Sequence, residues 1–430
     1  MYAEEIVFSL RWVRSSFFGG LSDQAIVSLG NFGLNIALAR NFAEHEYGAF
    51  SFILSFALFL NTLHQAFVTY PLSVHGAPAE RGQFDYFLAV ATALTFVEAL
   101  LSFPVISGAA LSVRHPDLVP IACCFLLTWQ LQEVYRRGLL ARARFAAATA
   151  NDFARYIVTL AAIVALTHYF TLSLQNTLLL LTAGSLLTCC ALLPAIAAQL
   201  PAALRNISSE LRGHWHMAAP VLGANLLAAF STQWFLWLLA WSRDLSSSAA
   251  LVALANIVAF SSPVMYGIEN ILVPEIARLK DGLTHENLMS LLMRRGLAGG
   301  ALVLPFFLIV IIWPGPTLHL FYGHHKTYAQ FTLALQALGV AYITYLASYI
   351  FSATLRGYRA TGAVFKMQLY PALLAITLGS WLTLHFGVTG ACFAAMIAGF
   401  MRACIGYYFV NGLREQTAQN ATVSVLNVTS

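Results

Sequence analysis

Charge is what this sequence has least of. Only 10% of its 430 residues are Asp, Glu, Lys or Arg, whereas 59% are hydrophobic and the mean hydropathy is +0.72. Soluble domains contain about 25% charged and about 45–50% apolar residues. The composition therefore excludes an ordinary soluble protein and predicts a chain whose main solvent is lipid.

Long polar segments are lacking as well. A transmembrane helix needs about 20 predominantly apolar residues. Twelve such runs follow one another at about 21–40, 48–70, 86–112, 119–137, 153–170, 176–198, 217–241, 249–273, 296–314, 330–355, 367–385 and 388–411. The connections are too short for a soluble catalytic domain. We therefore expect an all-α polytopic membrane protein with twelve transmembrane helices that is not an enzyme.

Cysteine and histidine are too sparsely placed to suggest a metal site. The six cysteines lie within apolar runs and show neither disulfide nor metal-binding spacing. The histidine pairs at 214/216 and 324/325 lack carboxylates at ligand spacing. No glycine-rich phosphate loop occurs in the sequence either, so it predicts no bound cofactor.

The net charge of +5 has a marked asymmetry. If the first terminus is cytoplasmic, most of the 23 Lys and Arg residues fall in segments on that side, among them Arg136, Arg137 and Arg155. The positive-inside rule accounts for this distribution without a nucleic-acid partner. We expect both termini in the cytoplasm, as an even number of helices requires.

A basic corner occurs twice and indicates an internal repeat. Arg137-Gly138 ends the fourth apolar run and Arg356-Gly357 ends the tenth, and each leads into a short basic loop. A spacing of six helices gives the two halves the same orientation, related by a pseudo-two-fold axis along the membrane normal. The sequence thus predicts two six-helix bundles, 1–205 and 206–430, and this plan is typical of alternating-access transporters.

Polar side chains follow one face of several predicted helices. The candidates for a substrate cavity are Gln24, Ser28, Asn31 and Asn35 in the first run, Asn61, His64 and Gln65 in the second, Asn225 and Gln233 in the seventh, and Asn256 and Asn270 in the eighth. In the first run the intervals are 4, 3 and 4 residues, which places these side chains on one face. Two interpretations stay open: hydrogen bonds that pack helices together, and a hydrated cleft for a hydroxyl-rich cargo.

Three acidic residues, Asp23, Glu98 and Glu269, are candidates for coupling transport to a proton or sodium gradient. Glu98 lies closest to the middle of its run, where a charge costs about 2.5–3.5 kcal/mol on insertion scales. Both a coupling role and a structural hydrogen bond fit this position. Glu133 and Arg137 are four residues apart, a spacing that predicts a structural ion pair on one helix.

Basic and aromatic residues near the helix ends complete the candidates. Arg40 and Arg243 lie near the outer ends of the first and seventh runs, where they either receive phosphate or snorkel to the interface. Arg402 lies inside the last run and requires a partner or an anionic ligand. Trp237, with two neighbouring tryptophans, is predicted to join the interfacial aromatic belt, and stacking against sugar rings is the alternative.

Three segments carry a family resemblance. The stretch "LARNFAEHEYGAFSFILSFALFL" resembles the first hairpin of the polysaccharide transporter family, the Wzx-like oligosaccharide flippases of the MATE/MOP exporter superfamily. "LHLFYGHHKTYAQFTLALQALGVAYI" resembles that family's ninth-to-tenth helix connection, and "GVTGACFAAMIAGFMRACIGYYF" resembles its last helix. The likeness covers almost the whole chain, and its motifs are loose.

The resemblance implies a function and partners. It implies translocation of an undecaprenyl-diphosphate-linked oligosaccharide across a bacterial inner membrane for surface polysaccharide biosynthesis, beside the polymerase and glycosyltransferases of the same pathway. Family members use a cationic cavity, whereas few arginines lie deep in the first half of this sequence. The alternative is a MATE-like antiporter that exchanges cations for drugs or other organic cations, for which an acidic cavity is expected.

Overall fold

The computed structural model describes residues 26–169, 172–190, 193–279, 285–324 and 326–428, and these residues are almost entirely helical without a β-strand. We number the main helices as follows: α1, 26–41; α2, Glu44–His64 with a π-helical turn Gln65–Thr69 and an extension Tyr70–Gly76; α3, Arg81–Ser112; α4, Val119–Ala141; α5, Phe145–Asp152 with a π-helical turn Phe153–Val158 and an extension Thr159–Tyr169; α6, Leu174–Cys189. The later helices are α7, Ile207–Ser242; α8, the pair Leu245–Ala259 and Ser262–Leu279; α9, His285–Ile312; α10, Thr332–Gly357; α11, Thr361–Leu374 with a π-helical turn Ala375–Gly379; and α12, within Ser380–Val428.

Each of the twelve predicted apolar runs overlaps one of these helices, although the sixth run, 176–198, extends beyond the end of α6 at Cys189. Within the described residues, seven helical stretches are long and apolar enough to cross a membrane, and the α8 pair, bent by 54°, makes an eighth if it counts as one span. The stretch Thr361–Leu413 contains two of the predicted runs. They are divided at Gly387, whose φ of 60° and ψ of −136° interrupt the helix between the predicted runs.

The chain forms two compact units, Met1–Asn256 and Ile257–Ser430. The sequence pattern instead predicts a boundary at 205/206, between two repeats of six helices. Helix α7 begins the second predicted repeat, but it packs with α2 inside the first unit. The compact units therefore need not have the same boundary as the sequence repeat. The division into 1–205 and 206–430 stays a prediction about the repeat.

Small residues allow close helix packing in the first unit. A Cβ added at Gly33 of α1 would lie 2.8 Å from Leu160 Cδ2 of α5, and one at Gly30 would overlap the Tyr156 side chain. At Gly48 of α2, an added Cβ would overlap the backbone carbonyl of Leu245. Membrane helices associate through such close contacts because lipid offers no hydrophobic driving force between them.

Helices α4 and α10 end in the same turn. In α4 the N–H of Ala143 donates to the Leu140 carbonyl and the N–H of Arg144 to the Leu139 carbonyl, each at 2.9 Å. In α10 the N–H of Arg359 and that of the next residue donate to carbonyls three and five residues earlier, at 2.9 and 2.8 Å. These are the bonds of a Schellman motif, and its left-handed position is occupied by Ala143 (φ 53°) and Arg359 (φ 59°).

The two basic corners can be compared through this turn. The two basic corners both lie at this helix end, as the sequence pairing requires. Aligned by the left-handed residue, however, Gly357 corresponds to position 141 and not to Gly138. The same turn also ends α3, at Arg114 (φ 62°), so it does not test the residue pairing predicted from "RG", and the repeat stays a prediction.

The second unit packs by the same means. An added Cβ at Gly339 of α10 would lie 2.9 Å from Ile311 Cγ1 of α9, and one at Gly399 of α12 would lie 2.6 Å from Thr344 Oγ1 of α10. The GxxxG at Gly296 and Gly300, interpreted from the sequence as a packing feature, lies against Ile350 and Leu346 side chains. Close packing of small residues therefore positions the helices in both units.

Candidate functional site

A charged cluster occupies the interior of the first unit between α4 and α5. It comprises Glu133, Arg136, Arg137, Asp152 and Arg155. Arg136 donates from Nε to Asp152 Oδ2 at 2.6 Å and from Nη1 to Glu133 Oε1 at 3.3 Å, while Arg137 Nε donates to the same Glu133 oxygen at 2.9 Å. Asp152 is 0% exposed and Arg136 is 8% exposed. Buried charges of this kind persist only when they are paired and hydrogen-bonded.

Amide side chains extend the charged cluster toward α6. Gln132 Nε2 donates to Asn151 Oδ1 at 2.7 Å and to Asp152 Oδ1 at 3.2 Å, while its Oε1 accepts from Arg155 Nη1. Asn151 Nδ2 donates in turn to the carbonyl of Thr188 in α6 at 3.3 Å. The network therefore fixes three helices relative to one another.

Arg155 is the cluster's most unusual cation. Its guanidinium lies 5.1 Å from the Trp129 ring centroid and 4.7 Å from that of Tyr156, and the residue is 7% exposed. Among the described residues it makes no ion pair within 4 Å, so a glutamine and two aromatic faces hold it in place. Such cation–π contacts contribute about 2 kcal/mol when desolvated. With every group ionised, three arginines face two carboxylates, and the cluster carries one excess positive charge.

The sequence pattern predicts only one pair of this cluster. The predicted Glu133–Arg137 ion pair is confirmed. Arg136 and Arg155, which the charge asymmetry assigns to cytoplasmic segments, are buried among helices, and the side of the membrane on which they lie stays a prediction. A signal is present in the sequence: "EVYR" (133–136) and "DFAR" (152–155) place an acid and an arginine three residues apart on consecutive helices, a spacing that puts both on one face.

Glu98 forms a second polar site with Gln130, which lies one helical turn before Glu133 on α4. Gln130 Nε2 of α4 donates to Glu98 Oε1 at 3.4 Å. Glu98 Oε2 and Gln130 Oε1 are both buried and have no hydrogen-bond partner within the described structure. Glu98 therefore makes one structural hydrogen bond and has a second carboxylate oxygen without a partner in the described structure. Its position fits both the structural role and the coupling role.

Beside Glu98 runs a groove of about 380 Å³ between α2, α3 and α7. Its walls are apolar except for Glu98 and Ser102, and they include Phe67 and the outward-facing Leu101, which is 75% exposed. We call this the apolar groove. Because it combines a carboxyl group with apolar walls, it can hold a chain that is apolar along most of its length.

His64 lies buried on α2 and connects it to α3. Its Nε2 is 3.0 Å from Thr95 Oγ1, whose hydroxyl donates to the Ala91 carbonyl at 2.8 Å. With the Thr95 hydroxyl donating to that carbonyl, the His64 Nε2–H donates to Thr95 Oγ1. Its Nδ1 is buried without a partner in the described structure, as is Asn61 Oδ1 in the preceding turn. These two candidate cavity residues lie together in the interior.

The candidate residues of α1 lie on a partly exposed face. Asn35 donates from Nδ2 to the Asn31 carbonyl at 2.9 Å and accepts from Tyr47 OH at 3.1 Å, and Asn31 itself is exposed. Ser28 is half-buried. Asn256 of α8 donates to the Phe32 carbonyl of α1 at 3.5 Å. Both Asn35 and Asn256 therefore make packing hydrogen bonds, while Asp23 and Gln24 lie outside the described residues.

The remaining candidates of the first unit are not gathered in one place by the described contacts. Gln65, Arg40 and Arg243 are exposed, and Asn225 and Gln233 are half-buried. The prediction of an aromatic belt in the seventh run is wrong for Trp237, which is 4% exposed, donates from Nε1 to Ser55 Oγ at 2.7 Å, and stacks on Phe56. This tryptophan packs α7 on α2 and does not belong to an interfacial belt.

In the second unit, two of the three candidates have described partners. Glu269 of α8 pairs with Arg356 at the end of α10. The Arg402 guanidinium lies over the Tyr345 ring at 5.4 Å, with its Nε buried and lacking a hydrogen bond within the described structure. The side chain of Asn270 lies outside the described residues. Arg402 thus has the aromatic partner that its depth required, together with one unused donor.

Comparison with known proteins identifies the fold. No protein-family model and no curated protein matches the chain. The solved structure of an inward-facing multidrug resistance MATE family transporter of the MOP superfamily matches with a TM-score of 0.70 at 12% identity, over 91% of this chain and 96% of that one. The outward-facing conformation gives 0.65 at 12% identity, over 95% and 96%.

A third solved structure differs in its described pocket. It is a MOP superfamily transporter from Pyrococcus furiosus, whose binding pocket is described as having a reverse polarity that suggests a different function. It matches with a TM-score of 0.63 at 11% identity, over 94% of this chain and 96% of that one. The chain is therefore a multi-pass membrane protein with the fold of the MATE/MOP superfamily transporters.

Proposed function

We propose that this protein is a flippase that moves a lipid-linked oligosaccharide, with an undecaprenyl diphosphate carrier, across a bacterial inner membrane by alternating access. The observation that carries this proposal is the apolar groove beside a polar interior in the first unit. A lipid-linked sugar is amphipathic in the same way: a long apolar tail joined to a hydroxyl-rich, anionic head. Both termini lie in the cytoplasm in this proposal, as the basic residues favour.

The apolar groove suits a polyprenyl chain. Its apolar side chains, such as Leu101, face outward where lipid surrounds the helices, so a tail can enter without crossing a polar surface. The groove's carboxyl group, Glu98, lies at the side nearest the interior, through its hydrogen bond to Gln130. The tail would thus lie in the groove while the head group leaves it toward the polar helices.

The charges favour an anionic cargo over a cationic one. Three arginines face two carboxylates in the charged cluster, so its net field attracts a diphosphate and repels an organic cation. The amide oxygens of Asn61 and Gln130 have no hydrogen-bond partner in the described structure, so they supply acceptors suited to hydroxyl groups. A proton or sodium gradient would drive the cycle through Glu98, whose second carboxylate oxygen has no partner in the described structure.

The test begins with deletion of this gene in its native host and measurement of the lipid-linked oligosaccharide in each membrane leaflet. Loss of the flippase should trap the lipid-linked sugar on the cytoplasmic leaflet and deplete surface polysaccharide. A membrane-impermeant sugar-modifying enzyme, added to intact cells and to inverted vesicles, reports the leaflet. An unchanged lipid pool together with lost efflux of organic cations would refute the proposal and favour the antiporter.

A purified system separates transport from pathway effects. Proteoliposomes that contain the protein and a lipid-linked oligosaccharide should make the inner-leaflet sugar accessible to the external enzyme. Glu98→Gln keeps the size of the side chain and removes its charge, and it should slow this exposure at least about tenfold if the carboxylate couples transport. Glu286→Gln at the exposed start of α9 is the matched control and should transport normally.

A further inference from the structure

An open cavity of about 700 Å³ lies in the first unit, and it shares no lining residue with the apolar groove or the charged cluster. It is formed by the start of α3, the end of α4 and the short helices that precede α7. We call it the basic pocket. Since it contains the first turn of one apolar helix and the last turn of another, it lies at the membrane–water boundary of the segments that the positive-inside rule places in the cytoplasm.

Three arginines and a single carboxylate supply the charge of the basic pocket. Arg81 is the first residue of α3, and Arg142 and Arg144 flank the left-handed Ala143 at the end of α4. Asp85 is the acidic residue on its wall, so the pocket carries a net charge of two positive units. The N-terminus of the 32-residue α3 adds a partial positive charge at the same place.

One arginine is held in place and two are available. Arg142 donates from Nη1 to the Ala79 carbonyl at 2.6 Å, and its guanidinium lies 5.2 Å from the Phe84 ring centroid. Arg81 and Arg144 are exposed, and within the described part of the chain neither has an ion pair or hydrogen bond through its side chain. Uncompensated arginines that converge on a cavity recognise phosphate oxygens through paired N–H donors.

The walls of the basic pocket indicate how such a ligand would lie. Phe84, Leu88 and Leu139 are buried apolar side chains below the arginines. A phosphate group would contact the guanidinium groups, while an attached apolar portion would contact these walls. Basic pockets between transmembrane helices at the cytoplasmic side bind anionic head groups in this way.

We infer that the basic pocket formed by Arg81, Arg142 and Arg144 binds a phosphate ester, either an anionic lipid head group or a phosphate compound from solution. The site is separate from the apolar groove and does not depend on the identity of the cargo. Its ligand holds the start of α3 against the end of α4. Binding therefore stabilises the folded protein, since a ligand that binds only the native state raises its free energy of unfolding.

The test measures thermal unfolding of the full-length protein in nanodiscs. Phosphatidylglycerol is titrated into phosphatidylcholine nanodiscs, and in a parallel series inorganic phosphate is added to phosphatidylcholine nanodiscs against chloride of equal ionic strength. A rise in the unfolding midpoint with phosphatidylglycerol alone identifies a lipid ligand. A rise with inorganic phosphate identifies a ligand from solution, and no rise in either series overturns the inference.

Charge variants locate the effect. Arg81→Gln/Arg144→Gln removes the two available arginines and should weaken the apparent affinity about 25-fold, since each interfacial arginine contributes about fivefold. The matched control Arg205→Gln/Arg212→Gln removes two exposed arginines outside the pocket and should leave the titration unchanged. Equal losses in the two double variants would overturn the inference, because a general surface charge would then explain the response.

A variant that is expected to bind more tightly controls for misfolding. Asp85→Asn removes the pocket's own carboxylate, so it should tighten binding and shift the titration to lower phosphatidylglycerol or phosphate. Damage to the fold cannot produce this gain. A weaker or unchanged response in Asp85→Asn would show that the ligand does not lie beside this side chain, and the pocket would be the wrong location.

Discussion

The Arg136–Asp152 ion pair gives the sharpest test of how the first unit is held together. Arg136→Met keeps most of the side-chain volume and removes the guanidinium that bonds Asp152 at 2.6 Å. Glu133 keeps its second partner, Arg137, at 2.9 Å, so the main damage falls on Asp152. That carboxylate is 0% exposed. In the variant it would lose the positive charge of Arg136 and keep its hydrogen bond from the Gln132 amide.

The expected loss follows from the balance of attraction and desolvation. At 2.6 Å and an effective dielectric constant of 20, the gross attraction between unit charges is about 6 kcal/mol. Much of this is offset by the desolvation of both groups, and removal of one partner from a buried pair typically costs about 3–5 kcal/mol. We expect Arg136→Met to lower the free energy of unfolding by that amount. Asp152→Asn should cost less, about 1–3 kcal/mol, because Arg136 keeps Glu133.

The double variant separates pairing from packing. In Arg136→Met/Asp152→Asn both members of the ion pair are removed together, so about half of the sum of the two single losses should be recovered. Equilibrium unfolding of the purified protein in detergent, followed by circular dichroism, measures all four free energies. Additive losses in the double variant, or a loss below about 1 kcal/mol in Arg136→Met, would refute the buried ion-pair assignment.

Three further substitutions and one control test local features by the same unfolding measurement. Ala143→Gly should raise the free energy of unfolding by about 0.5–1 kcal/mol, because glycine adopts the left-handed conformation without steric cost; a loss would contradict the Schellman turn. Gly48→Ala should cost about 1–3 kcal/mol by overlap with the backbone of α8, whereas Gly108→Ala, with open space around it, should be neutral or stabilising. Trp237→Phe should cost about 1–3 kcal/mol, because it removes the buried donor to Ser55. An unchanged stability would show that this hydrogen bond does not help to hold α7 on α2.

Local features of the chain are readable from the sequence. The twelve apolar runs predict the twelve main helices, including the division of the last stretch at Gly387, because lipid requires each span to satisfy its own backbone hydrogen bonds. The Glu133–Arg137 pair is predictable because both groups lie on one helix, where geometry fixes their distance. For the polar residues of α2, the sequence does not decide between helix packing and a hydrated cleft. In the structure, His64 forms a hydrogen bond with Thr95 of α3.

Contacts between helices were decided by the tertiary structure. Arg136 and Arg155 lie near the ends of predicted apolar runs, where the sequence does not say whether they face water, and only the packing of α4 against α5 buries them. Trp237 has the sequence context of an interfacial residue, but Ser55 and Phe56 of α2 bury it. The basic pocket likewise joins the start of one helix to the end of the next. Hydropathy fixes how deep a residue lies along its own helix, whereas rotation and spacing between helices decide which side chains meet.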